Sequence, residues 1–223
     1  MARETFEREM QKIQDDVLVL GSMVEQAVLD SMDALRRRNM AASQQVITGD
    51  QVINEKRFEI ENNCLVLIAT QQPMARDLRV LAAILEIITE LERIGDYAKG
   101  IGRINLLLSE TQLIIPITDL SMMAELGLKM LHDSLGAFVA RDAVVACAIA
   151  KKDEEVDALY NQVYRRLLDE MIANPALVDD ANYILWATHN LERLADRVTN
   201  ICERIVFVAT GVMSELDFTE GIS

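Results

Sequence analysis

The hexapeptide LERIGD at 91–96 returns as LERLAD at 191–196, and Pro73 returns as Pro175. A chain that repeats itself at an interval of about one hundred residues is built as two copies of one unit, and each copy must fold the same way. Between these landmarks run apolar residues at helical spacing, with few breakers: three prolines and nine glycines in 223 residues. The content is 51% hydrophobic but only 4% aromatic, with eleven methionines, which suits long helices packed through aliphatic seams. The expected fold is all-α, two tandem pseudo-symmetric three-helix bundles made of six long helices, with the first bundle over 1–112 and the second over 113–223.

Punctuation sets the six helices. The first runs from about Glu4 to the basic end LRRRN, where Arg36, Arg37 and Arg38 suit the negative end of the helix dipole. The second starts near Met40, with an interruption expected at Gly49, and ends before Pro73, which opens the third in the first-turn position proline tolerates. After the connector SETQLIIPITD a fourth helix ends near Arg141, a fifth runs from about Asp142 to Asn174, and Pro175 opens the sixth, which stops by Gly211. LGSM at 20–23 is matched with LSMM at 120–123, and Asp50 with Asp153; the differing offsets imply a short insertion in or just before the second copy's middle helix.

Short turns at the two prolines make the second and third helix of each unit antiparallel neighbours. Level positions across such a pair sum to a constant. Glu92 with Asn54, and Asp96 with Asp50, both sum to 146, twice the number of the turn proline. Glu192 with Asp157, and Asp196 with Asp153, both sum to 349, centred beside Pro175. Each hexapeptide stacks two acids four residues apart, an arrangement that costs an isolated helix about 0.2–0.5 kcal/mol. Four carboxylates in the second unit, and three with an amide in the first, are therefore expected to converge across a helix–helix seam. On the sixth helix they flank an apolar stripe of Ile184, Thr188, Leu191, Ala195, Val198, Cys202 and Ile205.

Two readings of these acids stand. In the plainer one, Arg93, Arg193 or nearby lysines neutralise them as surface ion pairs worth ~0–1 kcal/mol. In the other, a divalent or trivalent cation with oxygen preference (iron, manganese, magnesium or zinc) answers the repulsion, with Asp50, Glu92 and Asp96 on one face and Asp153, Asp157, Glu192 and Asp196 on the other. His189, one turn before Glu192, is close enough to join; His132 has no such company.

Other chemistry is not discernible. No nucleophile stands with a base and an orienting acid, and AKGIGR at 98–103 lies mid-helix without the strand a phosphate-cradling loop requires. Cys64, Cys147 and Cys202 are odd in number, far apart and set among apolar residues, as reduced core cysteines of a cytosolic protein would be. With 36 acids against 22 Lys and Arg, the formal charge of −14 opposes direct nucleic-acid binding. The charged N-terminus is unlike a signal peptide, and no run approaches the ~18 apolar residues of a membrane span, so the expected location is cytoplasmic.

QQPMARDLRVLAAILEIITELERIGDYAKGI at 71–101, followed by NLERLADRVTNICERIVF at 190–207, closely resembles the PhoU family, regulators of bacterial phosphate uptake. The resemblance covers nearly the whole chain. It implies a non-enzymatic cytoplasmic regulator, acting between the phosphate ABC transporter, through its ATPase subunit, and the sensor histidine kinase of the phosphate-starvation response, which it keeps off when phosphate is plentiful. It also implies a homodimer, and metal binding through the acid-x-x-x-acid motifs, here Asp50, Glu92, Asp96, Asp153, Asp157, Glu192 and Asp196. Asn54 departs from the acidic pattern. The alternatives are a carboxylate-bridged di-metal oxidase or metal-storage bundle of the ferritin-like kind, whose Glu-x-x-His motif this chain lacks, and a purely structural coiled-coil partner.

Overall fold

The structure, a computed structural model, describes residues 2–108, 111, 113 and 115–216. Among them are seven α-helices and one short 3₁₀ turn, with no strand: α1 Ala2–Arg37, α2 Met40–Gln71, α3 Ala75–Leu107, α4 Ile117–Ala140, α5 Ala143–Ala150, α6 Asp153–Ala173 and α7 Val178–Thr210, with the turn Pro175–Leu177 leading into α7. The tail from 217 on, and connector positions 109, 110, 112 and 114, lie outside the described residues.

The repeat is visible in the caps. Asn39 caps α2 by accepting from the Ala42 amide, and Asp142 caps α5 by accepting from Val144 and Val145. Just before each cap a left-handed arginine ends the preceding helix, Arg38 at φ 54° and Arg141 at φ 55°. Inside those helices Ser31 Oγ donates to the Val28 carbonyl at 2.8 Å and Ser134 Oγ to that of Leu131 at 2.7 Å. All these pairs stand 103 residues apart. Leu20 is thus the counterpart of Met123, both fully buried, and the expected match of LGSM with LSMM is corrected by three residues. The change of offset to 100 falls at the second turn, since the first helices already run at 103.

Three further boundaries differ from expectation. Gly49 does not interrupt α2: its open face asks nothing of a side chain, and the buried Asp50 and Ile53 hold the helix through it. The interruption falls at the equivalent place in the other copy. At Lys151 and Lys152 the expected fifth helix tightens, with the Lys152 amide bonding to Ile149 and that of Glu155 to Lys152, three residues back in each case. Neither proline sits in the first turn of a long helix: Pro73 lies in the link ahead of Ala75, and Pro175 opens the 3₁₀ turn.

Each unit is a three-helix bundle, α1–α2–α3 and α4–α5/α6–α7. Gly95 and Gly102 let α3 close tightly on α2, where added Cβ atoms would lie 3.2 Å from Ile53 Cδ1 and 3.2 Å from the Ser43 carbonyl oxygen. The two bundles share one apolar core, because α3 packs along α7 and α1 along α4. Across α3 and α7, Arg204 pairs with Glu86 at 3.1 Å, Asn200 Nδ2 donates to Glu90 at 3.2 Å, and the Arg193 guanidinium lies 5.5 Å from the Tyr97 ring centre. Each of these pairs sums to 290, so the helices are antiparallel. Under the offset of 100, the residues both level and equivalent are Gly95 and Ala195, and the pseudo-twofold axis passes beside them. Packed on α3 and also on α4, α5 and α6, with Leu194 against Gly127 of α4, α7 buries Ala187, Leu194 and Ile201 as well as the whole expected stripe from Ile184 to Ile205.

Candidate acid faces on the two bundles

Antiparallel packing brings each LER-x-x-D segment against the middle helix of its own bundle. In the second bundle, the ring of Tyr160 on α6 lies 6.2 Å from that of His189 on α7; the two positions sum to 349, the register read from the sequence. Asp153 and Asp157 of α6 accordingly face Glu192 and Asp196 of α7, close enough to perturb one another. Burial, and then the charges of Asp157, Asp196 and Glu192, push the Asp153 carboxyl up to about 7. Burial and then Asp196 and Asp157 take Glu192 to about 7 as well, against a smaller opposing pull from Arg193 and Arg197. Asp157, nearer the rim, is raised by partial burial and then by Asp196 and Glu154. Asp153 Oδ1 and Glu192 Oε2 are buried with no hydrogen-bond donor. His189, exposed, holds its Nδ1 3.1 Å from that Glu192 oxygen.

The first bundle assembles the corresponding groups with a different outcome. Lys99 of α3 reaches across to α2 and sets its Nζ 2.6 Å from Asp50 Oδ2 and 3.3 Å from Asp96 Oδ1. Asn54 Nδ2 donates to the same Asp50 oxygen at 3.2 Å. Glu92 is raised by burial and then by Asp96, but Arg57 pulls it back. At this face a lysine pairs with two of the acids. The arginines named for the plainer reading are occupied elsewhere: Arg93 pairs with Glu90 at 2.8 Å, and Arg193 lies over Tyr97.

The donor set tests what each face could hold. Four carboxylates supply only oxygen, which suits a hard cation. Buried oxygens without a hydrogen bond occur at both faces, Asp153 Oδ1 and Glu192 Oε2 in the second bundle and Asp50 Oδ1 in the first, but only in the second do they accompany two carboxyls raised to about 7. As the side chains stand, no three His, Cys, Asp or Glu groups among the described residues converge closely enough to hold one ion; holding one would require these side chains to move together. The second face fits a cation in chemistry and needs that adjustment in geometry. The first already contains its counter-charge.

The register read from the sequence sets the named acids on facing helices, where they perturb one another, but that reading missed Lys99 and Arg57. The signal was present. Aligning the copies puts Thr199 opposite Lys99 and Tyr160 opposite Arg57, so two cationic positions of one copy are neutral in the other.

Comparison with known proteins agrees with this architecture. The PhoU domain model matches residues 17–104 and again 120–205. The phosphate-specific transport system accessory protein PhoU homolog of Clostridium acetobutylicum is 33% identical over 97% of this chain and 100% of its own length. The homolog of Caulobacter vibrioides is 36% identical over 93% of this chain and 91% of its own. The crystal structure of the phosphate transport system regulatory protein PhoU from Streptococcus pneumoniae superposes with a TM-score of 0.88 at 32% identity, covering 94% of this chain and 99% of that one. PhoU from Pseudomonas aeruginosa gives 0.87 at 31% identity over 93% and 100%. With the domain matched once in each copy and relatives aligned nearly end to end, the chain belongs to the PhoU family.

Proposed function

We propose that this protein is an accessory regulator of phosphate uptake that works in the cytoplasm, as a negative regulator between a phosphate ABC transporter, through its ATPase subunit, and the sensor histidine kinase of the phosphate-starvation response. The observation that carries this reading is the end-to-end match, in both copies, to relatives named as accessory proteins of phosphate-specific transport. No described helix is long and apolar enough to cross a membrane, so such a role is exercised by docking on a transporter. No catalytic group enters the reading, and the protein acts as a homodimer.

On this reading the second acid face holds a divalent or trivalent cation (iron, manganese, magnesium or zinc) through Asp153, Asp157, Glu192 and Asp196, while Asp50, Glu92 and Asp96 form a weaker counterpart. The ion supplies positive charge where α6 meets α7. Asp153 Oδ1 and Glu192 Oε2, buried without a hydrogen bond, support this, as does the raising of both carboxyls by burial and by their acidic neighbours. The regulatory claim is tested by deleting the gene and following a phosphate-starvation reporter in high phosphate. Derepression, reversed by the wild-type gene, is expected; a reporter that stays silent in the deletion strain would overturn the claim.

A further inference from the structure

At one pair of equivalent positions the two copies differ by a cation that touches the acids. Lys99 of α3 carries an ammonium into the first acid face, whereas Thr199, one hundred residues on, brings no charge, and its Oγ1 is buried without a partner. The Lys99 contact is built rather than incidental. Asp50, its closest partner, is only 4% exposed, and the ammonium divides its donors between Asp50 of α2 and Asp96 of α3, joining the two helices where a bridging cation would. Arg57 stands near Glu92, and its counterpart Tyr160 brings no charge. At the first face Lys99 touches two of the three carboxylates directly, while Arg57, itself paired with Glu61 at 3.0 Å, acts on Glu92 from farther off. The second face has four carboxylates with neutral groups at the same two positions, and its basic neighbours, His189, Arg193 and Arg197, act on Glu192.

We infer that Lys99 is the resident cation of the first face, and that the choice of lysine or threonine at this repeat position determines which of the two bundles recruits a metal ion. The inference rests on the reading that the second face binds metal. An ammonium 2.6 Å from Asp50 Oδ2 opposes a metal ion on the same oxygen, because two cations would then lie within a few ångströms of each other in a half-buried seam. The metal must displace the lysine or stay away. At the second face Thr199 stands at the repeat position of that lysine, and the basic group beside the carboxylates is His189, whose Nδ1 lies 3.1 Å from Glu192 Oε2.

The test is equilibrium dialysis of the full-length protein against Mn²⁺, with bound metal read by elemental analysis and its position by anomalous scattering. Wild type is expected to fill the second face first, and to lose that metal in the Asp153→Asn, Glu192→Gln double variant. Lys99→Thr is expected to gain binding at the first face, at least tenfold tighter there than in wild type, and to keep the gain in the double-variant background. Thr199→Lys is expected to abolish binding at the second face. Retention of the second-face ion in Lys99→Thr shows that the variant is folded, and Lys99→Gln gives a second, more conservative removal of the charge. A first face that remains empty in both Lys99 variants while the second stays filled overturns the inference and leaves the metal reading intact. First-face binding gained in Lys99→Thr, with nothing bound at the second face of wild type, supports the role of Lys99 and overturns the metal reading of the second face. Metal in neither face of any of these proteins overturns both.

Discussion

Arg38 and Arg141 end their helices in the same left-handed backbone turn, at φ 54° and 55°, one repeat apart. This conformation costs a residue with a Cβ on the order of 1–2 kcal/mol, and glycine avoids the cost. Arg38 recovers part of it, since its Nη1 donates to the Leu108 carbonyl at 3.0 Å and ties the end of α1 to the end of α3. Arg141→Gly should therefore raise stability by about 0.5–1 kcal/mol in urea unfolding, and Arg38→Gly by less. A larger gain at Arg38 would mean that the bond to Leu108 contributes nothing.

Two glycines separate helix propensity from packing. Gly49 is helical with open space around it, so Gly49→Ala should stabilise the protein by about 0.5–1 kcal/mol. Gly102 has the Ser43 carbonyl oxygen 3.2 Å from where its Cβ would stand, and a backbone atom yields little. Gly102→Val should destabilise by about 1–3 kcal/mol through overpacking of the α2–α3 seam, measurable as a lowered urea midpoint with an unchanged slope.

These two positions also show what could be read before the fold was known. The apolar stripe on α7 and the facing of the four acids followed from helical period and from counting outward from a turn proline, arguments that depend only on sequence separation. The expected break at Gly49 failed because propensity is weaker than the burial of Asp50 and Ile53 on either side of the same turn. The packing of α3 on α7 was not legible, since nothing local says which bundle face meets the other copy. The role of Lys99 lies between these cases: its reach to Asp50 needs coordinates, but its replacement by Thr199 was visible once the repeats were aligned.

The raised acids predict a pH dependence. Asp153 and Glu192 titrate at about 7 in the folded metal-free protein, against about 4 when unfolded. Because their folded pKa values lie above the unfolded ones, the stability linked to them is fully present below about pH 4 and is lost as pH rises through about 7. Asp153→Asn removes part of this loss. The difference in melting temperature between the variant and metal-free wild type should grow in the variant's favour from pH 4 to pH 8; a constant difference would show that the carboxyls do not repel one another as placed.

Burial also ranks the thiols. Cys64 and Cys202 are wholly buried, and burial pushes both thiols up to about 12, whereas Cys147 is partly exposed. Only Cys147 should be alkylated by iodoacetamide in the native protein at pH 8, with the other two reacting after denaturation, as peptide mass mapping would record.

Asn54 offers a graded test of charge count. Asn54→Asp adds a fourth carboxylate to the first face and should bring its cation affinity closer to that of the second, while Asp157→Asn should weaken the second. Isothermal titration with Mn²⁺ measures both. If Asn54→Asp alone made the two faces equal, Lys99 would carry no weight in the difference.

The claim that the two copies have diverged into one lysine-neutralised face and one cation-binding face is tested most directly by growing crystals across a series of Mn²⁺ concentrations and locating ions by their anomalous scattering. The account predicts that density appears first among Asp153, Asp157, Glu192 and Asp196, while Lys99 remains on Asp50. Ions confined to Asp50, Glu92 and Asp96, with the second face empty, would contradict it.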